Sequence, residues 1–244
     1  MDAVILAAGR GTRMRPLTDT TPKPLLEVSG RPLLAHLLNH VAALQPARVI
    51  VVTHYLKEIV HNWLAEHAPE VIAVDQGVAD GTARAVACVE PYCTSESLLV
   101  INGDNYYCPR DLIELAADDG FHHLGVIASP TPSRYGVVHY QTERSRFVAR
   151  IEEKPKRLAD GTVADVNAGA YLFRREMFDI LRDIISTGAA AWEHSRREIP
   201  LTDALDAVAA KGCLKAIPLS CWHDMGTPAD LAELDRSLRE RSGK

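Results

Sequence analysis

The chain has 244 residues, of which 47 % are hydrophobic and 24 % charged, with a formal net charge of −5. That balance is ordinary for a globular protein with enough chain for a large core. The excess of acid argues against nucleic acid as a partner, and no apolar run of about 18 residues exists, so no membrane span is expected.

The first predicted element is a strand over 3–8, broken at once by Gly9 and Gly11. Behind Pro32, the residues Leu33, Leu34, Leu37, Leu38, Val41 and Leu44 recur at helical spacing. This predicts a helix over 32–44 with Pro32 in its first turn. A strand over 49–53, a helix over 57–67, a strand over 71–74 and a helix over 81–89 follow. Next come a strand over 98–101 and a helix over 110–118. The early strands are short and almost wholly apolar, as in a parallel sheet covered on both faces. Their alternation with helices implies βαβ units with right-handed crossovers.

From residue 124 the strands close up, over 124–128, 136–140, 147–151 and 168–173, with hairpin spacing around 141–146. This adds an antiparallel part to a mixed sheet. A helix over 175–186 precedes one over 203–211, for which Thr202 can act as N-cap and Gly212 as stop. A strand over 214–217 and a last helix over 228–241 complete the chain, the latter capped by Thr227 and begun by Pro228. The expected class is α/β in a single domain over 1–244, with segment 227–241 packed back on the core.

Five scattered cysteines, none in a C-x-x-C pair, read as reduced thiols. With no basic-then-apolar leader in view, a cytoplasmic location is expected. His36 and His40 share a helix face without an H-E-x-x-H string and read as a surface pair. His122 and His123 have no partners at ligand spacing.

A glycine-rich turn after a buried strand can cradle phosphate on backbone N–H groups. Neither the P-loop string nor the third glycine of the Rossmann fingerprint is present, however. The longer stretch has more to say. Gly9-Arg-Gly11-Thr12-Arg13, then Pro16-Leu-Thr18, then Pro22-Lys23-Pro24-Leu-Leu resembles the signature of the sugar-1-phosphate nucleotidylyltransferases. Two distant strings resemble the same family: Gly103-Asp104 at the end of an apolar strand, and Trp222-His-Asp224-Met-Gly226-Thr227 before the last helix.

The resemblance implies a Rossmann-like three-layer α/β/α sandwich with a mixed, mostly parallel sheet. It implies transfer of a nucleotidyl group from an NTP to a sugar 1-phosphate, giving an NDP-sugar and pyrophosphate. The acceptor is already an anion and needs no general base. The obstacle is charge repulsion, so catalysis should consist of positioning plus cationic neutralisation.

By that resemblance Ala7, Ala8, Gly9, Gly11 and Thr12 wrap the triphosphate, Arg13 grips it, and Lys23 meets the reacting phosphates. Arg10 and Arg15 occupy positions that the family pattern leaves free. Asp104, at the carboxyl end of its strand, and Asp224 would hold Mg²⁺, which favours carboxylate and phosphate oxygens. Gln76, Gly81 and Thr82, with Gly103, would complete the nucleotide site, Gln76 reading uracil or thymine. Gly136, Glu153, Lys154, Asn167 and Gly169 would take the sugar phosphate.

UTP or dTTP and glucose 1-phosphate are the favoured substrates. The alternatives are a cytidylyl- or guanylyltransferase of the same fold and an inactive sugar-nucleotide-binding regulator. The last would be expected to lose Arg13, Lys23, Asp104 or Asp224, and all four are present. No hexapeptide repeat follows, so a β-helix with acyltransferase activity is not expected. Oligomeric state stays open, a homo-oligomer included.

Overall fold

Successive side chains of a strand point to opposite faces, and strand β1 (Asp2–Ala7) uses both. The computed structural model describes residues 1–159, 161–192 and 198–242. After β1 come β2 (Glu27–Val28), β3 (Arg31–Pro32), α1 (Leu33–Ala42), β4 (Val49–Thr53), α2 (Lys57–His67) and β5 (Ile72–Asp75). Then follow α3 (Thr82–Ala87), β6 (Ser97–Asn102), β7 (Asn105–Tyr107), α4 (Pro109–Leu115), β8 (His122–Ser129), β9 (Gly136–Tyr140) and β10 (Val148–Glu153). The chain continues through β11 (Ala164–Arg174), α5 (Met177–Trp192), α6 (Leu201–Ala210), β12 (Leu214–Pro218), β13 (Trp222–Asp224) and α7 (Pro228–Ser242).

Nine strands form the main sheet, whose path is β10-β9-β11-β6-β1-β4-β5, with β8 on β11 and β12 on β8. Strands β1, β4, β5 and β6 pair in parallel, as do β8 and β12. Strand β11 runs against β6, β8 and β9, and β10 against β9. So only β10 and β11 oppose the common direction, and the sheet is mixed but mostly parallel. At its antiparallel end the sheet bends round until Phe147, just before β10, bridges Lys215 in β12.

Alternation along the parallel strands builds two cores. Val4, Ile50, Val52, Val74 and Val100 pack with buried residues of α3, α5 and α6. Ala3, Ile5, Val51, Leu99 and Ile101 pack on the other face with residues of α1, α2, α4 and α7. This is the three-layer α/β/α sandwich. Helix α7 joins it through Leu234 and Leu238, both buried.

Several local expectations need correction. Pro32 lies just before α1, in the extended conformation of the short β3, and not in the helix's first turn. Helix α6 starts at Leu201 behind Pro200, so Thr202 lies inside it and is no N-cap. Proline's fixed φ and missing N–H favour that early start. Gly212, at φ +69°, does follow the helix as expected. Helix α4 stops at Leu115, short of 118, and α5 runs on to Trp192. His36 and His40 are half-buried against the Tyr106 ring and are no surface pair. His122 and His123 are buried, and His123 has Leu115 O and Asp119 as partners.

Candidate active site

In an open α/β sheet the carboxyl ends of parallel strands form the natural edge for a site. The loops after β1, β5 and β6 all leave from that edge. Gly103, just after β6, donates its N–H to the Leu6 carbonyl at 2.8 Å, and a Cβ there would press on that same oxygen. A glycine lets the chain turn tightly against β1 and present Asp104.

Lys23 arrives from the first loop. It opens a 3₁₀ turn, Lys23–Leu25, with Pro22 before it and Pro24 inside it. Its side chain is 7 % exposed, and its ammonium donates to Asp104 Oδ2 at 2.7 Å. The stem lies against Gly11, whose φ of +59° suits glycine and where a Cβ would come within 3.3 Å of Lys23 Cβ. The Thr18 hydroxyl donates to the Gly11 carbonyl at 2.8 Å and holds the loop closed. Gly9, by contrast, faces open space.

Asp224 comes from β13, which pairs with β7 so that Asp224 stands opposite Asn105. Met225 N–H donates to the Asp104 carbonyl at 3.1 Å, which ties the two acidic segments together. Burial pushes the Asp224 carboxyl above its ordinary value, and the negative charge of Asp104 adds to this; Lys23 and Arg13 oppose it. Arg13 Nη1, Asp224 Oδ2 and Asp230 Oδ2 all lie within 3.3 Å of the point where Gly226 would carry a Cβ. Residues 13, 23, 104 and 224 therefore meet at one place.

The residues expected on the sugar side gather on β9, β10 and β11. Gly136 stands opposite Glu153, and a Cβ on it would lie 3.0 Å from Glu153 Oε2 and 3.7 Å from Asn167 Cβ. Asn167 Oδ1 accepts from Gly169 N–H at 2.9 Å and from the Tyr171 hydroxyl at 3.1 Å. Gly169, at φ +70°, packs against the Asn102 side chain, so this cluster abuts the end of β6. Burial raises the Tyr171 phenol, against its hydrogen bond to Asn167 and with smaller contributions from the charges of Glu153 and Asp104. Lys154 is turned outward: its side chain is 68 % exposed, with the ammonium 3.7 Å from Glu153 Oε1.

The loop after β5 is already engaged within the protein. Gln76 is buried, and its Nε2 donates to the Gly81 carbonyl at 3.0 Å. A Cβ on Gly81 would collide with the Ile199 backbone. The Thr82 hydroxyl accepts from Leu201 N–H at 2.8 Å and so serves the start of α6. Beside Gln76, Asp75 accepts from Lys57 Nζ at 2.6 Å, which holds its carboxyl down at about 2, helped by Gly77 N–H.

Sequence reasoning missed two acids. Asp111 in α4 is buried and accepts from Ser220 N–H, Ser220 Oγ and Cys221 N–H at 2.8–2.9 Å, which fixes the approach to β13. Asp230 faces Arg13. In sequence, both look like ordinary first-turn acids of a helix.

Comparison with known proteins extends this geometry. Residues 2–241 match the family model described as Nucleotidyl transferase. The chain is 33 % identical over 239 residues to the bifunctional protein GlmU of Methanococcus aeolicus, covering 98 % of this chain and 54 % of that protein. It thus spans about half the length of the GlmU relatives that it matches. It is 28 % identical to the UTP–glucose-1-phosphate uridylyltransferase AglF of Haloferax volcanii, over 99 % of this chain and 98 % of that one. Identity to a mannose-1-phosphate guanylyltransferase of Mycobacterium tuberculosis is 30 %, covering 94 % and 62 % of the two chains. A Bacillus anthracis structure, provisionally named a glucose-1-phosphate thymidylyltransferase, shares the fold with a TM-score of 0.82 at 24 % identity, covering 98 % of this chain and 96 % of that one.

Proposed function

We propose a function from one premise: this chain belongs to the nucleotidyl transferase family. It transfers a nucleotidyl group from an NTP to a sugar 1-phosphate and releases pyrophosphate. UTP or dTTP is the donor and glucose 1-phosphate the acceptor. The observation that carries this reading is the convergence of Arg13, Lys23, Asp104 and Asp224 at one sheet edge. The name of AglF supports it, as does the α/β/α sandwich that the two cores form.

An oxygen of the sugar phosphate attacks the α-phosphorus of the NTP. The α–β bridging P–O bond breaks, and pyrophosphate leaves with that electron pair. No proton has to move, so the protein's task is to hold two polyanions in line. Lys23 neutralises charge at the reacting phosphate from its fixed place in the 3₁₀ turn. Arg13 takes the outgoing phosphates, with backbone N–H groups of the loop from Ala7 through Ala8 to Thr12 around them. Gln76 and Gly81 face the base, and Gly136, Glu153, Asn167 and Gly169 the sugar; Lys154 swings in to the sugar phosphate.

The acidic pair fits a divalent cation. Asp104 and Asp224 come from different segments; burial raises the Asp224 carboxyl, and the charge of Asp104 adds to that. Two hard oxygen donors beside substrate phosphates are what Mg²⁺ accepts. Asp104 and Asp224 would hold it, and when bound it supplies charge neutralisation on the phosphate oxygens.

The test is pyrophosphate release across UTP, dTTP, CTP and GTP against glucose, mannose, galactose and N-acetylglucosamine 1-phosphates. The expected result is turnover with UTP or dTTP and glucose 1-phosphate, lost in Asp104→Asn. Turnover confined to GTP with mannose 1-phosphate would move the protein to the guanylyl branch that its 30 % identical relative represents. Absence of turnover with every pair would overturn the reading.

A further inference from the structure

We propose that Asp230 is a positioning residue for Arg13, holding its guanidinium ready for a triphosphate and off the carboxylate of Asp224. The inference rests on the nucleotidyl-transfer reading above. Its starting point is Gly226. A side chain there would meet three charged atoms at once: Arg13 Nη1 at 3.1 Å, Asp224 Oδ2 at 3.2 Å and Asp230 Oδ2 at 3.3 Å. Only glycine leaves that space to the three groups.

The three groups are not equally constrained. Asp230 is anchored: the Thr227 hydroxyl donates to its Oδ2 at 2.7 Å, and Arg134 Nη2 stands 3.9 Å away. The helix cap does not require this carboxylate. Capping is done by Asp230 N–H donating to Thr227 Oγ1 at 3.3 Å, a bond that any residue's backbone could make. Arg13 is exposed, on a short 3₁₀ turn, and its long side chain is otherwise free to choose a partner. With Asp224 as its only acidic neighbour it would pair there directly. That pair would occupy a carboxylate of the acidic site and hold the guanidinium away from incoming phosphates. A second, fixed carboxylate divides the attraction and keeps Arg13 at the open point between the two.

The test is a double-mutant cycle read by calorimetric binding of the most active NTP of the matrix above, with magnesium present. Asp230→Asn keeps an oxygen for the Thr227 hydroxyl and removes only the charge. In otherwise wild-type protein it should weaken NTP binding about threefold to fivefold, the scale of one partly exposed charge interaction. KM should rise in step and kcat stay unchanged. In an Arg13→Met background the same substitution should have no effect on binding.

An equal loss in both backgrounds would overturn the role through Arg13, and so would tighter binding, which is what relief of simple repulsion would give. A change seen only in thermal stability would reduce Asp230 to a helix-end residue and also overturn it. Wild-type protein that binds none of the four NTPs would remove the nucleotidyl-transfer reading itself, and this inference with it.

Discussion

Lys23 is a cation whose surroundings decide what its loss would do. Its side chain is almost fully enclosed, yet its partner Asp104 is 41 % exposed and would stay solvated without it. Lys23→Met, close in size and uncharged, should therefore leave the thermal midpoint nearly unchanged. It should cost about 3 kcal/mol in kcat/KM, the scale of one preorganised electrostatic contact. A drop in stability with activity retained would make the lysine a structural residue. Lys23 was singled out in the sequence by its place between two prolines and by the resemblance of that stretch to the family's signature. Its bond to a residue 81 positions away was not, because no local pattern encodes that distance.

Among the elements, the long ones were readable and the short ones were not. Helix α1 and strands β1, β4 and β6 carry enough residues for a 3.6- or 2-residue period to show. Strands β7 and β13 have three residues each, too few for any period, and they were missed although they carry Asp224 to the site. Asp111 holds the approach to β13, which in turn pairs with β7. Asp111→Ala would leave two part-buried N–H groups and a hydroxyl without their acceptor, at roughly 1–3 kcal/mol. Urea unfolding should show that loss, and Asp111→Asn, which keeps one acceptor oxygen, should show less. An alanine variant of wild-type stability would mean that the approach to β13 is held elsewhere.

For the whole molecule, the pH dependence of stability follows from groups that titrate differently when folded. Burial, with His36 nearby, lowers His40 from 6.5 to about 4, and its Nδ1 is buried without a partner. Between those values the unfolded chain binds the proton and the folded one does not, so stability falls as pH drops from 6.5 to about 4. Asp75 and Asp119 are both held at about 2, Asp75 chiefly by Lys57 and Asp119 by Lys215 and His123 against the opposing effect of burial. Their contribution is complete above 3.8 and is lost as pH falls through about 2. His40→Leu should therefore lessen the fall of the urea midpoint between pH 6.5 and 4.5, to which buried His122, also lowered, contributes in the same sense, and leave the loss below pH 3.8. An unchanged slope would assign that window to other groups.

The sequence by itself determined the alternation of strands and helices, the glycine loop and, through the strings that resemble the family's, Asp104 and Asp224. These depend on periods of two and 3.6 residues and on motifs contiguous in the chain. Only the tertiary structure decided that Thr82 serves α6, that Asp111 holds residues 220 and 221, that the sheet bends round to Lys215, and that Arg13 lies beside Gly226 with Asp224 and Asp230. Each of these is a contact between residues far apart in the chain. It exists because two helix-covered cores bring those segments to one sheet edge, and the spacing of residues along the chain carries no record of it.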